Sequence, residues 1–347
     1  SDAHGSPDAR HAMASFLQRY ITKTAVSKDH IILQNGACTV INSLATLLCD
    51  AEEHVMVFGP GYRGFEGDVK THANANITVA HLDKHKDGSS LYPPVHTVSA
   101  MQDALDQASA DGNVVRAVIV CSPHNPTGEL LDEQLIRDIV TWGRSNSLHV
   151  VFDELYALSV HDPKASFTSV AEVLQGDLGD DVHIVWSMSK DLCSSGMRLG
   201  ALYSQNERLR MACIINNSMF GWASRVAEWP VISLLSDFGW VDSFIAENNR
   251  RLREAYERSV EVLEKLNVPY VPASAGFFIL ADFRRFLPEA TKEAEHELFL
   301  KLWDAKVVVT PSAEFFASSY GFFRICFAAA KAEEMEVAWS RIRSVLL

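Results

Sequence analysis

The chain has 347 residues, 48% of them hydrophobic, and a formal net charge of −13 at neutral pH. The apolar content is enough for a large core, the length suits roughly two domains, and an acidic balance without a basic stripe excludes a nucleic-acid footprint. No apolar run approaches the ~18 residues that would cross a bilayer, and the opening residues SDAHGSPDAR lack the basic start and apolar stretch of a secretory leader.

The pattern predicts a helix over residues 6–20, with Phe16, Leu17 and Tyr20 on one face. A short apolar run over 29–33 is broken by Asn35-Gly36, and a helix over 39–49 opens straight after that break. Residues 53–58 read as a strand ended by Gly59-Pro60-Gly61, and 77–81 as a second, followed by a polar loop over 85–90. Further strands are expected over 116–121, 149–152, 183–186 and 197–203. Between the first two of these, 132–145 forms an amphipathic helix that Asp132 is placed to cap. Beyond Trp222 the texture changes. A long charged helix is expected over 240–266, strands over 276–282 and 322–327, and a final helix over 333–347. Alternating helices and strands imply an α/β fold with a mostly parallel sheet between helices. The expected division is a helix over 1–25 packed on a small domain, a large domain over 26–239, and a smaller α+β domain over 240–347.

Six cysteines are scattered without CxxC spacing, several in apolar runs, which reads as reduced, buried thiols of a cytoplasmic protein. His81 and His85 have HxxxH spacing but run from a strand end into a loop, where that spacing does not align two rings, so no metal site is expected. Three polar groups stand at the carboxyl ends of predicted parallel strands, where ligands bind in open α/β sheets. They are Asn125 in His-Asn-Pro-Thr-Gly, Asp153, and Lys190 at the end of Ser-Met-Ser-Lys.

These segments, HNPTG (124–128), FDELY (152–156), SMSKDLCSSGMRLG (187–200) and FRICF (323–327), resemble the marks of class I and II aminotransferases, on the type I fold of pyridoxal-phosphate enzymes. SAGFFILADFRRFL, GFFRICFA and the Lys190-Asp191 pair are most similar to the 1-aminocyclopropane-1-carboxylate (ACC) synthase branch, with its animal and fungal relatives. The resemblance implies a seven-stranded large domain that binds pyridoxal 5′-phosphate. Lys190 would hold the cofactor as a Schiff base and move the substrate's α-proton. Asp153 would pair with the ring nitrogen and keep the ring an electron sink, while Tyr156 and Asn125 would donate to its phenolic oxygen. Ser187, Ser189 and Arg198 match the phosphate cup, to which the turn at Ala37 and Cys38 adds backbone N–H groups. Cys38 stands where relatives carry threonine or serine. Tyr62 matches the aromatic that stacks on the ring. Arg324 matches the arginine that grips the substrate carboxylate, with Asn125 beside it.

The chain also departs from the pattern. In Asp2-Ala3-His4-Gly5-Ser6-Pro7, Ala3 replaces a tyrosine that, in ACC synthases, reaches the neighbouring subunit's cofactor and is tied to ring closure. The family's N-terminal arm is expected to lie outside these residues. The first expectation is therefore transamination of an L-α-amino acid. The alternatives are ACC-synthase-like or carbon–sulfur lyase chemistry, then a non-catalytic relative. A homodimer with shared sites is implied, with Phe65, Phe220 and Trp222 reading as core aromatics that could also line a substrate pocket.

Overall fold

The computed structural model describes residues 2–84, 92–217 and 219–347. The loop expected over 85–90, and with it His85, lies outside the described residues. In the first half of the chain, helices α1 (Pro7–Leu17), α2 (Ala37–Leu48), α3 (Gly64–Lys70), α4 (Val98–Ala110) and α5 (Glu133–Ser145) alternate with strands β1 (Ile31–Gln34), β2 (His54–Gly59), β3 (Asn76–His81), β4 (Val115–Cys121) and β5 (His149–Asp153). Then come α6 (Val170–Val173), β6 (Val182–Ser187), α7 (Met188–Asp191), β7 (Gly200–Ser204), α8 (Glu207–Asn217), α9 (Arg225–Ser236) and α10 (Phe238–Lys265). The chain ends with β8 (Phe278–Asp282), α11 (Lys292–Asp304), β9 (Thr310–Pro311), β10 (Phe322–Cys326) and α12 (Ala332–Leu346).

Seven strands form one sheet in the order β1-β7-β6-β5-β4-β2-β3. The steps from β3 through β2, β4 and β5 to β6 are parallel, and β7 runs antiparallel to both β6 and β1. The central strands are buried on both faces, which is why they read as continuous runs of Val and Ile rather than as an alternation. Because β7 alone is reversed, its first residue, Gly200, lies at the edge where β1 and β6 end, opposite Gln34 and Ser187. Every loop that carries chemistry therefore opens on one rim. A second, antiparallel sheet, β8-β10-β9, has its own core around Phe283, Phe323, Leu302 and Trp339.

The N-terminal helix is placed differently from the expectation. Ala9, Met13, Phe16 and Leu17 of α1 belong to the core of the large sheet, with Leu33, Trp186, Val231 and Leu235. Phe16 lies 5.0 Å from the Trp186 ring. The cap residue Ser6 donates from Oγ to Glu228 of α9 at 2.6 Å. Beyond the helix, Tyr20 and Arg19 reach the start of α10: Tyr20 donates to the Phe238 carbonyl and to Asp242, and Arg19 donates to Asp242. The apolar stripe of α1 foretells burial, but the small sheet already has α10, α11 and α12 over it, and the open face is the one beside β1 and α9.

Two further expectations shift. The stretch over 197–203 is not all strand: Ser195–Met197 is a 3-10 turn, Arg198 has φ 50°, and the strand starts at Gly200. The helices α3, α4, α6, α7, α8, α9 and α11 are additions, with α4 and α11 capped by the Thr97 and Thr291 side chains. All six cysteines are free thiols, but Cys38 and Cys193 are exposed rather than buried.

Candidate active site

Lys190 stands on α7, the four-residue helix that follows β6 directly. Ser187 caps that helix, its Oγ accepting from the Ser189 N–H at 3.1 Å and donating to the Leu199 carbonyl at 3.0 Å. The neighbouring Asp191 is buried and anchors the segment: its carboxylate accepts from Ser159 Oγ at 2.7 Å, Trp186 Nε1 at 3.1 Å and the Leu158 N–H at 3.1 Å. The lysine side chain is only partly buried, with Nζ 6.0 Å from the Phe277 ring centre. A rigid base beneath a free amine suits a group that must change partners during a reaction.

Asp153 closes β5 on the same rim. Its Oδ1 accepts from the Leu155 N–H at 3.3 Å. Burial pushes its carboxyl up to about 7, and neither that N–H nor Lys190 offsets the cost. A buried carboxylate held so high has room for a cationic partner. Tyr156 is buried against Phe277 and Phe278, both edge-on at 5.4 and 5.3 Å, and burial raises its phenol so that it stays a donor.

Asn125, in the loop after β4, and Arg324, on β10, meet across the cleft between the two sheets. Arg324 Nη1 donates to Asn125 Oδ1 at 2.9 Å, and Nη2 to Thr310 Oγ1 at 3.2 Å. Two anchors fix the plane of the guanidinium.

Gly36 and Arg198 come together at the start of α2. This glycine has φ 91° and caps α2. A Cβ there would lie 2.4 Å from Arg198 Nη2, so the close approach of the guanidinium requires glycine. Arg198 also donates to the carbonyls of Ser195 and Asn35. Ala37 and Cys38 open the twelve-residue helix α2, whose first N–H groups face this end. Burial, then the neighbouring Asp68, raises the Cys38 thiol, so it is neutral and a weak donor. Tyr62 is 38% exposed, with Phe65 edge-on at 5.3 Å.

Sequence reasoning missed Asp68, Phe277, Phe278 and Thr310. Burial pushes Asp68 up to about 6, and it acts electrostatically on Cys38, Tyr62 and Asp153. In the sequence it is one of two carboxylates, with Glu66, on the short helix after Tyr62, and nothing local sets it apart. Phe65 packs in the core on the other face of the sheet, whereas Phe220, 62% exposed, is a surface side chain and Trp222 is half exposed. A cavity of about 1140 Å³ opens at Lys190, Ser189 and Phe277 and runs between α10 and α12, without reaching Asp153, Tyr156 or Arg198.

A seven-stranded, mostly parallel sheet with a small antiparallel sheet beside it, and a lysine, a buried carboxylate and a glycine–arginine pair on one rim, has the type I pyridoxal-phosphate fold. The chain belongs to the aminotransferase class I and II family, whose model matches residues 1–342. It is 32% identical over 364 residues to 1-aminocyclopropane-1-carboxylate synthase 4 of Oryza sativa subsp. japonica, covering 98% of this chain and 72% of that protein. It is 29% identical over 332 residues to the probable inactive 1-aminocyclopropane-1-carboxylate synthase-like protein 2 of Homo sapiens, covering 94% of this chain and 58% of that protein. Among solved structures, a tetra mutant of Thermus thermophilus aspartate aminotransferase superposes with a TM-score of 0.84 at 20% identity, over 100% of this chain and 88% of that one, a likeness of fold. Pyridoxal phosphate is the family's cofactor, and the donor set fits it: an amine, a carboxylate lacking a cation, a phenol donor and a cup that a single Cβ would fill. No helix among the described residues is long and apolar enough to cross a membrane.

Proposed function

We propose that this protein is a pyridoxal-phosphate-dependent aminotransferase acting on an L-α-amino acid, with Lys190 as the residue that moves the proton. The observation that carries the reading is the joint placement of Lys190, Asp153 and the Arg324–Asn125 pair around one rim. In this reading Arg198, Ser187, Ser189 and the N–H groups of Ala37 and Cys38 hold the phosphate. Asp153 faces the ring nitrogen, and Tyr156 and Asn125 face the phenolic oxygen. Tyr62 covers one face of the ring. When bound, the cofactor supplies an electron sink for the pair left at the substrate's Cα. Arg324 binds the α-carboxylate through the N–H groups not spent on Asn125 and Thr310. Lys190 Nζ would take the proton from the substrate's Cα and hold it for redelivery.

A second reading, lyase chemistry, is favoured by the Lys190-Asp191 pair. Against its ACC-forming version stands Ala3, whose buried methyl group has no hydroxyl to offer. The deciding experiment loads the protein with pyridoxal phosphate and offers a panel of amino acids, including S-adenosylmethionine and cysteine conjugates. A keto acid formed with amino transfer supports transamination. Ammonia, a thiol or methylthioadenosine supports the lyase. No turnover and no lysine-bound cofactor band would leave a non-catalytic relative.

The same reading places the site at a homodimer interface. Phe220, Val226 and Trp229, from the segment entering α9 and the helix itself, are 62%, 84% and 81% exposed. A second copy of this chain is the occupant that the fold's two-fold assembly offers for such a patch. Six free cysteines suit a reducing, cytoplasmic compartment.

A further inference from the structure

Behind the loop that carries Asn125 lies a cluster that the proposed reaction does not use. His96 stands just before α4, and His124 and Glu129 sit in the loop after β4. One ligating atom from each lies within 4.8 Å of the other two. The loop is a closed turn: the His124 N–H donates to the Glu129 carbonyl at 2.8 Å and the Gly128 N–H to the His124 carbonyl at 2.7 Å. The two imidazole rings meet edge-on with centres 4.3 Å apart, and Phe58 packs edge-on against both. His96 Nε2 and Glu129 Oε2 are buried without a hydrogen-bond partner, while the His124 ring lies against the Pro60 carbonyl. Buried polar atoms are ordinarily satisfied, and two left open beside a second imidazole mark a site for an absent group.

We propose that His96, His124 and Glu129 bind a divalent transition-metal ion, with Zn²⁺ the best match. Two imidazoles and a carboxylate form a donor set that suits zinc. His124 Nδ1 lies 2.9 Å from Thr127 Oγ1, and donation to that hydroxyl leaves the Nε2 lone pair for the metal, the outer support that ligating histidines use. Bonds of about 2.0–2.1 Å put tetrahedral ligand atoms roughly 3.3 Å apart. His96 Nδ1, the nitrogen 3.8 Å from Glu129 Oε2, is the one that would ligate, with side-chain rotation shortening the gap. The ion would tie the segment before α4 to the turn that presents Asn125.

The test uses the full chain loaded with pyridoxal phosphate, stripped with a chelator and then titrated with Zn²⁺ against a chromophoric competitor. One zinc per chain is expected to survive gel filtration, with anomalous diffraction at the zinc edge placing it between the three side chains. Glu129→Gln and His96→Gln should each weaken binding by more than about 100-fold, and Thr127→Val by about 10- to 100-fold as an outer partner. A circular-dichroism spectrum and melting curve check that each variant is folded. If the folded wild-type chain retains no zinc, or if Glu129→Gln and His96→Gln bind it as tightly as wild type, the site is overturned.

Discussion

Arg324 and Asn125, 199 residues apart in the chain, share a 2.9 Å hydrogen bond that joins the small sheet to the rim of the large one. The guanidinium is thus held in one orientation, and in the proposed reading the asparagine faces both the cofactor and the substrate carboxylate. Asn125→Ala removes one of its two anchors. A hydrogen bond to a charged group contributes about 1.5–3 kcal/mol, so KM for the amino acid should rise roughly tenfold to hundredfold. Steady-state kinetics check this, and an unchanged KM would mean that Arg324 does not grip the carboxylate through this geometry.

Lys190→Ala should abolish turnover and the visible band of lysine-bound cofactor, yet leave the melting temperature near wild type. The side chain's ammonium lies over the Phe277 ring, a contact worth about 0.5–1 kcal/mol at a partly exposed site. Absorbance, activity and a thermal melt on the same preparation suffice. Retained turnover would move the proton-transfer role to another residue.

Gly36→Ala tests the cup. The added Cβ would stand 2.4 Å from Arg198 Nη2, at a backbone φ of 91°. The guanidinium must move away, and the cofactor's phosphate loses a charge-assisted partner of about 1.5–3 kcal/mol. Cofactor affinity measured by fluorescence quenching should fall at least about tenfold, and equal affinity would show that Arg198 does not hold the phosphate.

Asp153 makes the cofactor-free protein sensitive to pH. Its carboxyl titrates at about 7, raised by burial from an ordinary value of 3.8. The folded state therefore holds a proton that the unfolded chain releases. The resulting stability is fully present below about pH 4 and is lost as pH rises through about 7. Asp153→Asn cannot ionise. Without cofactor it should melt with wild type near pH 4 and higher than wild type near pH 8, by an amount on the order of 1–4 kcal/mol. Parallel melts of the two proteins across that range check the sign. A variant less stable at about pH 8 would contradict it.

The exposed apolar patch on α9 gives a prediction about assembly. Trp229→Glu places a charge where 81% of an indole is open in the single chain. If a second copy covers it, the variant should elute as a monomer and wild type as a dimer, since an unpaired charge buried at an interface costs several kcal/mol. Equal elution of the two would place the interface elsewhere.

The sequence by itself determined the local elements and the contiguous chemistry. The runs over 116–121, 149–152 and 183–186 are apolar after their first residues, Arg116, His149 and His183, because strands buried on two faces admit little else, and Asp153 and Ser187 are legible as the polar residues that end them. Lys190 and Asp191 could be read as a pair because they are adjacent. What only the tertiary structure decided are the contacts that span long separations. Thr310 holds Arg324, Asp68 lies near Cys38 and Asp153, and α1 docks on α9 instead of the small domain. His96 meets His124 and Glu129 in the same way. Periodicity tells which face of an element is buried, but the partner is set by which complementary surface the folded chain leaves open, and that depends on every other element at once.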